Sequence, residues 1–239
     1  MGDAPVVLLP GMLCTPSLWD PVRRRLGMPA TAVHLQGSSV DHAARAVLRN
    51  VEHGEFHLVG CSLGGIVALA IARLEPQRLR TLCLVGTNPN APRPDQLVGW
   101  DTLEDIATRR GCRAGAASLM PSLLGDRPRQ RHVAQVLAMA DEVGLTGLAT
   151  HLSIQRSRVD QWDSLRKFSQ PVLCIAAELD QLCPVELHEQ MAAAAPDAQL
   201  AVIPRSSHLS PIQAPSVLAR SIAAWVTASQ STHERLPSA

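Results

Sequence analysis

The chain contains no tyrosine, two phenylalanines and a single lysine, Lys167. The first absence removes the phenol as a general acid, an oxyanion donor or a phosphate contact. The scarcity of lysine confines any Schiff-base chemistry to one position. Neither sign of charge is in excess: 22 basic against 21 acidic residues leave a net charge of +1. That is too little field to gather nucleic acid or a membrane surface, so neither is an expected partner. Long hydrophobic runs are missing as well. The first apolar stretch, Val6-Val7-Leu8-Leu9, stops at Pro10-Gly11 with no basic segment ahead of it, so no secretory leader is expected. Nothing approaches the ~18 apolar residues of a membrane span. With Val at position 6, the Gly2 start does not fit a myristoylation pattern. The six cysteines, Cys14, Cys61, Cys83, Cys112, Cys174 and Cys183, are scattered without a C-x-x-C pair. This predicts packed, reduced thiols in a cytoplasmic protein rather than disulfides or a zinc site. No G-x-G-x-x-G or Walker-type loop is present, and no cofactor or metal is expected.

What is there is a chain of 239 residues, 46% hydrophobic, enough for one α/β domain with an insertion. Strand-like runs recur at 5–9, Thr31–Leu35, Phe56–Val59, Thr81–Val85, Pro171–Ala176 and Gln199–Ile203. Helical patterns separate them, over Val40–Val51, Ser62–Glu75, after Pro184, and from Ala214 to Val226. Continuous apolar strands alternating with helices predict a mostly parallel sheet with helices on both faces. From 93 to 167 the rhythm breaks. Helical patterns alone appear, at Leu97–Arg109, Ala114–Leu123, Arg131–Ala140 and Leu145–Ser157, and they read as a helical lid between core segments 1–92 and 168–239. A separate helical domain is the alternative. The polar end from Ser229 to Ala239 reads as a frayed tail.

At the junction of the third strand and the apolar helix stands "GCSLGG", residues 60–65. A tight turn needs small residues, but Gly60, Ser62 and Gly64 also spell G-x-S-x-G, the turn that exposes a nucleophilic serine beside a helix N-terminus. A serine so used needs a base and an acid, in the order Ser, Asp/Glu, His. Of nine histidines, His34, His42, His53 and His57 precede the serine; His132 and His151 fall in the helical stretch. His188 reads as facing outward on a helix, and His233 lies in the tail. His208 follows the last strand in a loop, at the sheet edge where Ser62 emerges. Asp180 follows the fifth strand at that same edge, with Glu178 its nearest competitor. A helix-capping role for Asp180 and a plain loop role for His208 are the bland alternatives. The oxyanion would be held by the backbone N–H of Leu63 and of Met12, the latter in the loop after the first strand.

In "LLPGMLCTPSLWD", "LVGCSLGG", "AELDQLCP" and "SSHLSPIQAP" the chain resembles the α/β-hydrolase superfamily of single-domain esterases, lactonases and C–C bond hydrolases. The resemblance covers nearly the whole chain apart from the helical stretch and the tail. It implies an α/β-hydrolase fold lacking the family's first two strands. Three departures stand out: Pro10 replaces the first residue of the usual His-Gly pair, and Ala177 and Ser207 replace glycines before the acid and the histidine. These alter loop geometry more than chemistry.

The expected activity is therefore hydrolysis of a small, mostly apolar carboxylic ester or lactone by Ser62, Asp180 and His208 through an acyl-enzyme. A thioesterase, acyltransferase or C–C hydrolase could use the same three residues, and a non-catalytic binding protein could be built on the same scaffold. Trp19, Trp100, Leu123 and Leu209 are expected to wall the substrate site, with Leu119 and Leu124 beside them; core packing is the alternative for each tryptophan. Arg127, Arg129 and Arg131 read as a solvated helix start, with contact to an acidic acyl carrier or a coenzyme A phosphate as the alternative. A monomer or homodimer is expected, with a small molecule as partner.

Overall fold

A computed structural model describes residues 4–51 and 54–233; His53 and residues 234–239 of the expected tail lie outside them. Six strands, β1 (Val6–Leu9), β2 (Ala30–Ala32), β3 (Phe56–Cys61), β4 (Leu79–Val85), β5 (Val172–Ala177) and β6 (Ala198–Ile203), form one sheet in the order β2-β1-β3-β4-β5-β6. Every neighbouring pair is parallel. The strand period of two places Val6 and Leu8 in one apolar core and Val7 and Leu9 in the other. Both faces are covered, which is why β1 and β5 read as unbroken apolar runs and β3 as one interrupted only by the buried His57. The second strand is shorter than the expected Thr31–Leu35 and begins one residue earlier. At the sheet edge, half-exposed and short, it carries little of the burial signal that marks the central strands.

One face packs α2 (Val40–Asn50), α3 (Leu63–Leu74), α8 (Trp162–Lys167) and α9 (Val185–Ala194). The other packs α1 (Asp20–Leu26) and α11 (Pro215–His233), the latter preceded by the short α10 (Ser210–Gln213). Between β4 and β5 the chain makes α4 (Pro94–Arg110), α5 (Cys112–Ser118), α6 (Met120–Leu124), α7 (Gln130–Arg156) and α8. Within α7 the backbone at Gly144 is non-helical, with φ 59° and ψ −178°, so the span is two helices meeting at a kink, in keeping with the two expected there. All six cysteines are free and buried. Trp19 is fully buried and belongs to the core around α1 and α11. Among the described residues, no helix is long and apolar enough to cross a membrane.

The sheet order turns back at β1, so the carboxyl ends of β1 and β3 flank a crevice, the place where parallel α/β sheets bind ligands. The helical insertion is tied over this edge by hydrogen bonds to the core. The Leu13 amide donates to His151 Nδ1 of α7 at 3.2 Å, and Leu209 N donates to the Leu123 carbonyl of α6 at 3.1 Å. Gln213 Nε2 adds a bond to the Leu124 carbonyl at 2.9 Å. Burial, helped by the nearby His34, pushes the His151 imidazole down to about 4.

Two expectations follow from these contacts. A Cβ on Gly64 would lie 2.4 Å from the Leu9 carbonyl oxygen, a backbone atom that cannot give way locally. Gly64→Ala is expected to cost about 1–3 kcal/mol, seen as a lower midpoint in urea melts. For His151 the unfolded chain takes up a proton near pH 6.5 and the folded chain only near 4. Stability is therefore lost as pH falls through that window, by about 3 kcal/mol in all, and levels off below it. His151→Asn keeps an acceptor for Leu13 without titrating. Its urea midpoint should depend less on pH between 6.5 and 4 than the wild type's. The buried His188 acts in the same direction in both proteins and cancels from the difference.

Candidate active site

Ser62 stands between β3 and α3 with φ 53° and ψ −116°, left-handed backbone that a side chain adopts only under constraint. Its neighbours impose that constraint. A Cβ on Gly60 would meet the Gly64 carbonyl oxygen at 2.4 Å, and one on Gly65 would meet Thr87 Cγ2 at 2.5 Å. Strand and helix therefore close on each other only because these positions are glycine. The Ser62 amide donates to the Val85 carbonyl at 2.9 Å, and Thr87 Oγ1 donates to the Ser62 carbonyl at 2.7 Å. The turn is pinned from β4 on both sides.

The structure brings Ser62, His208 and Asp180 into one hydrogen-bonded line. His208 Nε2 lies 2.9 Å from Ser62 Oγ, and its Nδ1 lies 2.8 Å from Asp180 Oδ2. The second carboxylate oxygen accepts the amides of Leu182 at 2.8 Å and Cys183 at 3.0 Å. Burial alone would raise the Asp180 carboxyl; the His208 ring and the three hydrogen bonds outweigh it and hold the group below the ordinary carboxylate range. Glu178 is instead exposed and accepts the Arg205 amide. Asp180 bonds within its own loop and to His208, and no helix cap is made by it.

The amides of Met12 and Leu63 donate to no other described residue. Gly11 lies against Ser62, where an added Cβ would sit 3.4 Å from the serine Cβ. Met12, Ser62 and His208 line a cavity of about 220 Å³ together with Trp100, Leu123 and Leu209. Trp19 and Leu124 do not line it. Trp19 sits wholly in the core behind it, a correction to its expected place in the substrate wall. Proximity in sequence to the oxyanion loop does not put that ring on the loop's cavity side. Arg127, Arg129 and Arg131 are exposed.

Several residues at the site escaped the sequence reading. His188 is fully buried rather than outward-facing; it accepts the Thr87 amide at Nε2 (3.4 Å) and meets the Pro184 carbonyl at Nδ1 (3.1 Å). Burial drives its pKa down. Gly86, φ 51°, leaves room for the acid–histidine pair, since a Cβ there would come within 3.3 Å of Asp180 Oδ2. Thr87, Asn88, Gln96, Gln155 and Arg158 add polar groups to the cavity lining. Only the position of Thr87 and Asn88 just past β4 hinted at this; Gln96 and Gln155 come from α4 and α7, and Arg158 from the loop after α7.

Asp180, Cys183 and His208 also offer donor atoms within 4.8 Å of one another, a spacing a metal could use. Both carboxylate oxygens and both imidazole nitrogens are already hydrogen-bonded, and burial pushes the Cys183 thiol up to about 12. A thiol so hard to ionise is a poor ligand. The donor set does not fit a metal.

Comparison with known proteins gives the same frame. A pimeloyl-[acyl-carrier protein] methyl ester esterase of Methylococcus capsulatus is 30% identical over 64% of this chain, a match that spans 63% of that relative. One from Aromatoleum aromaticum is 29% identical over 84% of this chain and 89% of its own length. The structure of a thermophilic esterase from Thermogutta terrifontis superposes with a TM-score of 0.85 at 25% identity, covering 96% of this chain and 92% of that one. The family model for the α/β hydrolase fold matches residues 36–215, and the chain belongs to that family.

Proposed function

We propose that the chain is a serine hydrolase that cleaves a small, mostly apolar carboxylic ester or lactone, with Ser62 as nucleophile. The observation that carries this reading is the continuous line Asp180–His208–Ser62, two contacts of 2.8 and 2.9 Å opening into a cavity. His208 Nε2 takes the Ser62 proton as the oxygen attacks the carbonyl carbon. Asp180, held ionised by its hydrogen bonds, fixes the ring with Nδ1 protonated and stabilises the imidazolium. The tetrahedral oxyanion is received by the N–H groups of Met12 and Leu63, the second at the positive end of α3. His208 then protonates the departing alcohol. Water activated by the same ring clears the acyl group from Ser62. Residues 93–167 serve as the lid, with Trp100, Leu123 and Leu209 as the apolar wall around the acyl group. The esterases it resembles support the substrate class.

Hydrolysis of short p-nitrophenyl esters tests this. Ser62→Ala should lower kcat by at least ~1,000-fold with the circular dichroism spectrum unchanged. It should also abolish the serine adduct that the wild type forms with a fluorophosphonate. Asp180→Asn should cost a similar factor, because the amide favours the wrong imidazole tautomer. Turnover confined to acyl-thioesters would reassign the chain as a thioesterase. A wild type without turnover or adduct would leave only a binding role.

A further inference from the structure

Arg158 is a buried cation with no acid beside it. It is 6% exposed, follows the end of α7 and lines the same cavity as Ser62 and His208. Its Nη2 donates to Gln96 Oε1 at 2.9 Å and its Nη1 to Gln155 Oε1 at 3.2 Å. The guanidinium carbon lies 5.2 Å from the Trp100 ring centroid, and Nε has no partner among the described residues. Every arginine–carboxylate salt bridge found among the described residues uses an arginine at least a fifth exposed, and Arg158 takes part in none. Another cation, Arg93, acts against its charge. Desolvation lowers its pKa to about 10, still far above neutrality, so it stays charged.

Burying an uncompensated charge is costly, and a side chain kept there is held by surroundings built for it. These surroundings are specific. Gln96 is fixed at the start of α4, where its Oε1 also accepts the Arg93 amide at 3.1 Å, so its carbonyl must face the guanidinium. Trp100, one turn further along α4, supports the flat face of the group. Two neutral oxygens satisfy two of five N–H donors and none of the charge. A guanidinium with free donors, in a cavity it shares with Trp100, Leu123 and Leu209, matches a planar anion with two oxygens.

We propose that Arg158 is the anion-binding end of the substrate cavity, and that the preferred substrate is an ester whose acyl chain ends in a carboxylate, a half-ester of a dicarboxylic acid. This rests on the hydrolase reading for its reaction, but its binding claim can be tested apart from turnover. In calorimetric titration of the wild type, hexanoate should bind about tenfold or more tighter than hexanamide, which has the same chain and no charge. Arg158→Met should erase that preference, and Arg158→Lys should retain part of it. In turnover, the ratio of kcat/KM for monomethyl adipate to that for dimethyl adipate should exceed about ten in the wild type and fall toward one in Arg158→Met. Equal affinity for hexanoate and hexanamide in the wild type would overturn the proposal even if every ester were hydrolysed, and needs no variant that folds. Arg158-dependent hexanoate binding without hydrolysis of any ester would instead overturn the hydrolase reading and leave the anion site standing.

Discussion

The rest of the structure depends on the close approach of β3 to α3 at Ser62. A left-handed residue with a side chain is an unfavourable choice for a turn, and this one persists because everything around it leaves no alternative. Gly60 and Gly64 let backbone meet backbone, Gly65 makes room for the Thr87 side chain, the Val85 carbonyl and the Thr87 hydroxyl hold the serine's own amide and carbonyl, and β1 closes the space behind Gly64. The hydroxyl is thereby presented at the sheet edge. Only then can groups carried by loops after β5 and β6 converge on it.

How much of this is legible in the sequence depends on how local the cause is. Central strands buried on both faces write their burial directly as apolar runs, so β1, β3, β4 and β5 can be placed from residue type alone. The short edge strand β2 cannot, because half of its surface faces water. Ser62 announces itself through the glycines its backbone requires. Asp180 and His208 can be placed because each follows its own strand, and parallel strands deliver successive loops to one edge. Side chains governed by tertiary packing stay hidden. His188 lies on a helix whose pattern suits either an inward or an outward histidine, and its buried partner, the Thr87 amide, is far away in sequence. Trp19 likewise gives no sign of which side of its loop it packs against. Arg158 looks in sequence like any arginine at a helix end; its meaning comes from Gln96 and Trp100, some sixty residues earlier.

The cavity shows how two kinds of interaction divide the labour of recognition. Its apolar wall, with Trp100, Leu123 and Leu209, attracts without direction, since burial of apolar area sets no orientation. On the proposed reading, direction comes from the polar groups that line it, among them the serine–histidine pair and the guanidinium with its glutamines. On that reading an acyl chain anchored at two such points would present its carbonyl at a restricted depth, which is how positioning lowers a barrier.

The hydrogen bond from Leu13 to His151 constrains how a ligand can arrive. It joins α7 to the loop that carries Met12, while Leu209 and Gln213 join α6 to the loop that carries His208. Swinging the inserted helices away as one body would strip an acceptor from a buried amide and loosen the loops of Met12 and His208 at once. Motion of the insertion and motion of those two loops are therefore coupled, and any displacement that widens the cavity is felt at both.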